Sequence, residues 1–320
     1  MVAATVAGGA PVHSAPGRLA TLLTRVLDRI ERARSLDVTV GPVRTLGERM
    51  VGTGSLRNLL SGTELGHPTH PMLVDLPIGF WTSAMALDFT GTHQRPAARR
   101  LIGLGVLTAL PAMAAGVSDW IDTDGAEARI GLVHATSNLT ALTCYSMSWW
   151  ARRRGGNSGQ VWALAGATAA TVGGWLGGHL AYSLGVGVDT NAFATGPTAW
   201  TPVVGKLADD RSLGRVTADG VPIVVARTGR GLHALADRCS HRGGPLSEGH
   251  RDGECITCPW HGSRFDLASG IPARGPATAR QPVYETRMTD DGLEIRRDEP
   301  RALRRPAVGS APAPEPDGPT

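Results

Sequence analysis

Four stretches of the chain carry long apolar runs with few charges: residues 72–90 (MLVDLPIGFWTSAMALDFT), 101–118 (LIGLGVLTALPAMAAGVS), 130–150 (IGLVHATSNLTALTCYSMSWW) and 161–186 (VWALAGATAATVGGWLGGHLAYSLGV). Each approaches the ~20 residues that an α-helix needs to cross a bilayer core. The pattern therefore predicts a four-transmembrane-helix bundle within residues 63–190. Asp75, Pro77, Asp88, Ser137 and Asn138 interrupt the first and third runs, so a soluble four-helix bundle is the competing reading. Two features favour the membrane. Trp81, Trp120, Trp149, Trp150, Trp162 and Trp175 include several near segment ends, where an interfacial aromatic belt would place them. Gly173-x-x-x-Gly177 and Gly174-x-x-x-Gly178 in the last run allow close helix approach in lipid. No internal repeat or broken-helix pair is visible, which leaves a transport role without support.

On the C-terminal side the period changes. From 197 to 299 the alternation in PIVVA, GLHALA and GLEIRR, separated by Asp-Gly, Thr-Gly and Gly-Arg-Gly, predicts short antiparallel strands and one small all-β domain. Residues 1–62 form an Arg-rich tail with one amphipathic helix, carried by Leu19, Leu22, Leu23, Val26, Leu27 and Ile30. That helix lies on the membrane surface, covers the bundle or pairs with another subunit. Residues 300–320 are rich in Pro and Ala and predict a disordered tail. The chain reads as multidomain.

Charge adds little to this picture. The formal net charge of +4 arises largely from arginines in the N-terminal tail and beside the apolar runs. No base-stacking module or basic aromatic stripe accompanies them, so nucleic acid is not the expected partner. The N-terminal apolar positions are interrupted by charges and do not make a secretory signal. Four cysteines are too few for a disulfide scaffold in 320 residues. Cys144 and Cys255 read as packing residues.

The other two cysteines carry the chemistry. Cys239-Ser-His241 is followed, after sixteen residues, by Cys258-Pro-Trp-His261. Two thiolates and two imidazoles arriving in pairs from two loops suit a [2Fe–2S] cluster with Cys₂ on one iron and His₂ on the other. Cys₂His₂ is also a zinc set. Zinc fingers, however, separate a Cys pair from a His pair, whereas here each loop supplies one of each. Gly243, Gly244 and Gly262 let backbone approach the site, and Pro245 and Pro259 stiffen the loops.

The stretch CSHRGGPLSEGHRDGECITCPWHGSRFDLASG, Cys239 to Gly270, resembles a Rieske iron–sulfur domain, an antiparallel sandwich with two cluster-binding loops. The resemblance implies Cys239 and Cys258 on the inner iron, and His241 and His261 on the outer iron, with the imidazole tips forming the docking surface. Quinol-oxidising members carry a Ser and a Tyr two and four positions after the last His, and a disulfide between the loops. Here Ser263 matches, Phe265 replaces the Tyr, and Gly244 and Trp260 occupy the cysteine positions. The expectation is a ferredoxin-type domain of low or intermediate potential. No histidine follows His261, so the mononuclear iron site of a Rieske oxygenase is not expected. Separately, GHPTHPMLVDLPIG, residues 66–79, resembles the opening of an uncharacterised family of four-helix bacterial membrane proteins, over residues 64–188.

Together these readings imply a membrane-anchored one-electron carrier exchanging electrons with a quinone, haem or redox protein. A redox-sensing interaction protein, with the bundle as scaffold, is the alternative. Four alternating spans put His70, Asp119, His134 and His179 on the side where the β domain follows. Polar groups at membrane depth mark functional sites. The expectation is that His134 and His179, with His70, ligate a b-type haem or line a quinone or proton site; the competing reading makes His67, His70 and Asp119 interfacial capping residues and has His134 simply hydrogen-bond Asn138 or a carbonyl. Arg95, Arg99, Arg100 and Arg152 to Arg154 lie on the opposite side, which by the positive-inside rule places the β domain outside the cell. Arg152-Arg153-Arg154 also loosely resembles an internal twin-arginine export signal, while eight arginines between Arg18 and Arg57 argue for the reverse orientation.

Overall fold

The computed structural model describes residues 17–155, 157–206 and 213–297, and the chain divides after Val188 into a helical unit and a β unit. The expected tail at 300–320 lies outside the described residues. In the helical unit the helices are α1 (Arg18–Arg32), α2 (Asp37–Val51), α3 (Ser55–Ser61), α4 (Thr69–Asp88), α5 (Arg95–Trp120), α6 (Gly125–Ala151) and α7 (Ser158–Tyr182).

The N-terminal segment therefore holds three α-helices where the sequence predicts one. Gly41-Pro42, Gly47 and the β-branched run from Val38 to Val40 disfavour α2 locally. Tertiary contacts override that preference. A Cβ at Gly47 would come within 2.9 Å of Ile121, so only glycine lets α2 lie this close to α5. Arg129 bonds both carboxylate oxygens of Asp37, at 2.7 and 2.8 Å, and donates to the Glu31 carbonyl at 2.6 Å. Of the three placements open to α1, the structure shows it covering α6, with Leu19 and Leu22 still exposed.

Helices α4 to α7 occupy the four apolar runs. One of them, α5, is long and apolar enough by composition to cross a membrane; the other described helices do not reach that measure. The bundle interior mixes small and polar residues, including Ala84, Ala98, Ala115, Ser118, Ala141 and Ser148, with a few large ones, Trp81, Ile102, Ile130, Tyr145 and Leu176. Large apolar side chains point outward: Ile78, Leu107, Leu110, Leu139, Val161 and Leu164 are all more than half exposed. Exposed Thr136, Thr140, Thr143, Thr168 and Thr171 each return their hydroxyl to the carbonyl four residues earlier, as does half-buried Thr108.

Two sequence expectations change here. Trp81 is not in an interfacial belt but buried, stacked on Tyr145 with ring centroids 4.0 Å apart. Arg152 is not a free loop charge but is buried against Asp88 at 2.5 and 2.7 Å, while Arg153 and Arg154 lie over the rings of Trp149 and Trp150. Of the two overlapping glycine pairs, Gly173 and Gly177 make close contacts, whereas a Cβ at Gly174 would meet nothing within 4 Å.

The bundle also contains a repeat that the sequence hides. His70 meets His134, Trp81 meets Tyr145 and Asp88 meets Arg152, each pair 64 residues apart. The partners on the second helix of each hairpin correspond too. His70 bonds the Ala112 carbonyl and rests on Gly116; His134 bonds the Gly173 carbonyl and rests on Gly177. Trp81 packs on Gly105 as Tyr145 packs on Gly166. Hairpin α4–α5 is thus repeated as α6–α7 about a twofold axis running along the bundle, with α4 and α6 parallel across it.

In the β unit, a seven-stranded antiparallel sheet has the order β1 (Thr201–Pro202), β11 (Gly292–Arg297), β10 (Val283–Thr289), β5 (Gly231–Ala236), β4 (Val221–Thr228), β3 (Leu213–Ala218), β2 (Val204–Lys206). A second sheet of β6 (His250–Asp252), β7 (Cys255–Thr257), β8 (Arg264–Asp266) and β9 (Pro272–Arg274) is inserted between β5 and β10. Strand alternation makes β4 buried on both faces. Ile223 and Val225 join one core with Val216, Tyr284 and Ile295; Val224 and Ala226 join another with Leu246, Ile256, Phe265 and Leu267. Cys239 and Cys258 belong to that second core.

Candidate metal centre

Two loops of the β unit bring the four donors together. The first leaves β5 and carries Cys239 and His241; the second joins β7 to β8 and carries Cys258 and His261. Both close in the same way. The Cys239 carbonyl accepts from Gly243 N–H at 2.8 Å and its N–H donates to the Gly244 carbonyl at 2.9 Å. In the second loop the Cys258 carbonyl accepts from Gly262 N–H at 3.2 Å and its N–H donates to the Ser263 carbonyl at 2.8 Å. Gly243 and Gly262 have φ of 78° and 73°, a conformation that favours glycine and explains why one lies four residues after each cysteine.

The turns aim backbone N–H groups at sulfur. Those of His241 and Arg242 face the Cys239 sulfur, and those of Trp260 and His261 face that of Cys258. The two thiols are themselves in hydrogen-bonding contact. That contact pulls the Cys258 thiol down to about 7, helped by the amides and opposed by burial; it pushes Cys239 up, with burial adding to the effect. The imidazoles of His241 and His261 meet edge to face, centroids 5.2 Å apart. The donors thus fall in a sulfur pair and a nitrogen pair, and among the described residues no three His, Cys, Asp or Glu groups converge on a single ion. A Cβ at Gly244 would approach Cys258 Sγ to 3.0 Å, so this glycine keeps the space beside the sulfur open. A two-iron group with one pair on each metal fits this arrangement of donors.

The comparisons with known proteins agree. A family model described as Rieske [2Fe-2S] domain matches residues 200–285, and one described as Predicted membrane protein (DUF2231) matches 66–190. The ferredoxin CarAc of Metapseudomonas resinovorans is 39% identical over 85 residues, 27% of this chain and 78% of that protein. The anthranilate 1,2-dioxygenase ferredoxin subunit of Burkholderia cepacia is 36% identical over 98 residues, 30% of this chain and 90% of that subunit. The chain belongs to the Rieske [2Fe–2S] family. It joins a DUF2231 domain to a Rieske domain in one polypeptide. A solved complex of reduced oxygenase and oxidized ferredoxin in carbazole 1,9a-dioxygenase aligns at 30% identity over 32% of this chain and 99% of that one, with a TM-score of 0.30.

Around the Rieske loops, Trp260 is 57% exposed and its ring covers Gly244. Ser263 is buried, its Oγ accepting Ala277 N–H at 2.9 Å, which leaves the hydroxyl hydrogen free to point elsewhere. Phe265 is fully buried in the core beneath.

Several supports escape a reading of the sequence. Gln281, fully buried, donates to the carbonyls of Ala236 and Arg238, both at 2.6 Å, and accepts Ser240 N–H at 2.9 Å. Thr190 Oγ1 donates to the Cys239 carbonyl at 2.7 Å, and Asn191 donates to that of Arg238 at 2.7 Å. Both residues lie in the β unit. Arg274 donates to the Gly262 carbonyl at 2.9 Å. Nothing in the local sequence marks any of these residues.

In the helical unit the structure regroups the expected polar residues. His70 and His134 come together, centroids 6.4 Å apart. His179 does not join them; its Nε2 pairs with Glu31 of α1 at 2.8 Å. Asp119 sits in the last turn of α5, and no hydrogen bond among the described residues links it to either histidine. The expected His134–His179 pair is therefore replaced by His70–His134, because the α1 carboxylate takes His179.

Proposed function

We propose that the protein is a membrane-anchored one-electron carrier, with Cys239 and Cys258 holding the inner iron and His241 and His261 the outer iron of a [2Fe–2S] cluster. When bound, such a cluster accepts and returns a single electron. The observation that carries this reading is the matched closure of the two loops, which pairs sulfur with sulfur and imidazole with imidazole. The chain supplies N–H groups that hold negative charge at the sulfurs, a buried polar frame that fixes both loops, and a rim of exposed Trp260 with half-buried His241 and His261 for a redox partner. A redox protein or quinone at the membrane is the expected exchange partner.

The membrane part of the proposal rests on the large apolar side chains that α4 to α7 expose, on the small residues that let the helices approach closely, and on outer threonine hydroxyls satisfied by their own helices. In this reading all four helices span the bilayer and the Rieske domain is extracytoplasmic, with Arg95, Arg99, Arg100, Arg153 and Arg154 at the cytoplasmic end. Anaerobic purification in detergent with iron, sulfide and EPR analysis tests the cluster. A topology reporter fused after residue 297 tests the face: export-dependent activity supports the assignment, and cytoplasmic activity reverses it.

A further inference from the structure

We propose that His70 and His134 are the two axial ligands of a haem iron held on the twofold axis of the bundle. The repeat itself is the first argument. At the step that maps α4 onto α6, every matched residue from Thr69 to Asp88 differs except the histidine. The other two axial pairs have diverged into complementary contacts, Trp81 on Tyr145 and Asp88 with Arg152. Packing or charge pairing could have occupied the histidine level in the same way, yet both halves keep an imidazole.

The second argument is the state in which the rings are held. Each Nδ1 is tied to a backbone carbonyl of the next helix, His70 to Ala112 at 2.7 Å and His134 to Gly173 at 2.8 Å. A carbonyl only accepts, so each Nδ1 carries the proton and each Nε2 is left with a lone pair, the tautomer and anchoring that metal-binding imidazoles use. Among the described residues His70 Nε2 makes no hydrogen bond. Asn138 Nδ2 lies 3.1 Å from His134 Nε2, but the same amide also donates to the His134 carbonyl at 3.1 Å and can leave the ring without losing every partner.

Geometry and ligand count select the metal. Two imidazoles on opposite sides of one metal, each at about 2 Å from it, have ring centroids roughly 6 Å apart. The observed 6.4 Å fits. Among the described residues no third His, Cys, Asp or Glu joins the pair. A bare divalent ion would lack protein ligands, whereas a haem iron needs only two because its macrocycle supplies the rest. Gly116 and Gly177 let the next helix pack against the anchored Nδ1–Cε1 edge of each ring; a Cβ there would meet His70 at 2.9 Å and His134 at 3.0 Å.

The test is full-length protein purified in detergent from cells supplied with a haem precursor, read by optical spectrum, haem assay, metal analysis and EPR. The expected result is a Soret band and a low-spin ferric signal at one haem per chain. His70→Leu and His134→Leu should each abolish the low-spin signal, and His179→Ala should leave it unchanged. His70→Met should retain haem with an altered spectrum, since methionine is also an axial ligand; it decides the matter if the leucine variants do not fold. The cluster has its own EPR signal, so this inference and the proposed cluster ligands fail separately. Protein with a normal cluster signal and no Soret band overturns the proposal. So does stoichiometric non-haem metal that disappears with His70→Leu.

Discussion

Gly244 lies directly under the ring of Trp260: a Cβ built on the glycine would stand 2.9 Å from the indole and 3.0 Å from Cys258 Sγ. The two positions where quinol-oxidising relatives of this fold carry a loop-bridging disulfide are therefore in contact here, filled by an exposed aromatic and a residue with no side chain. Gly244→Ala should lower cluster occupancy sharply while the Trp260 indole stays in place over the added Cβ, read as iron and sulfide per purified chain. Full occupancy in that variant would mean the space is not needed.

The same contact predicts that Gly244→Cys with Trp260→Cys forms a disulfide, since the approach leaves the two Cβ atoms within bridging range. The bridged protein should show a higher reduction potential than wild type by protein-film voltammetry. Wild type itself should fall in the lower part of the roughly −150 to +300 mV spanned by such centres. A wild-type value near the upper end would contradict the ferredoxin-type reading.

Ser263 is the one polar side chain retained from the high-potential pattern. Its Oγ accepts from Ala277, and its hydrogen remains available to donate toward sulfur. Ser263→Ala should shift the potential downward, because a hydrogen bond to sulfur stabilises the reduced, more negative state. An unchanged potential would show that the hydroxyl serves only Ala277.

Gln281 holds the first loop through three hydrogen bonds in a fully buried setting. Gln281→Leu leaves those backbone groups unsatisfied and should cost about 2–3 kcal/mol, measured by denaturant unfolding with cluster absorbance as the probe. Loss of less than about 0.5 kcal/mol would contradict the role given to it.

Asp88 and Arg152 form a buried pair on the axis. Arg152→Ala should destabilise the bundle by about 3–5 kcal/mol, since it strands a buried carboxylate. Because the repeat makes the two positions equivalent, exchanging them, Asp88→Arg with Arg152→Asp, should recover on the order of 2 kcal/mol. Detergent thermal unfolding of the three proteins decides. Equal loss in the single and the exchanged variants would contradict the twofold relation.

Legibility differed between the parts of the chain for physical reasons. Cys239, His241, Cys258 and His261 were readable because ligand spacing within a tight loop is a local property of the sequence. The four long helices were readable because each carries a long run of apolar and small residues with few charges. Helix α2 was hidden because Gly41-Pro42 and Gly47 oppose it locally and only contacts with Val117, Ile121 and Arg129 compensate. The repeat was hidden because small interior residues and apolar outer ones interchange freely, leaving few identities such as His70 with His134 and Gly116 with Gly177. The partner of His179 could not be read because Glu31 lies 148 residues away in sequence. Thr190, Asn191 and Gln281 support the site from segments whose own pattern is that of ordinary loops.

EPR of the dithionite-reduced, anaerobically purified full chain decides whether Cys239, Cys258, His241 and His261 hold a [2Fe–2S] cluster. The expected result is a rhombic signal with average g below that of the free electron, at two irons and two sulfides per chain, lost in Cys239→Ser and Cys258→Ser. Stoichiometric zinc without inorganic sulfide, and no such signal on reduction, would contradict it.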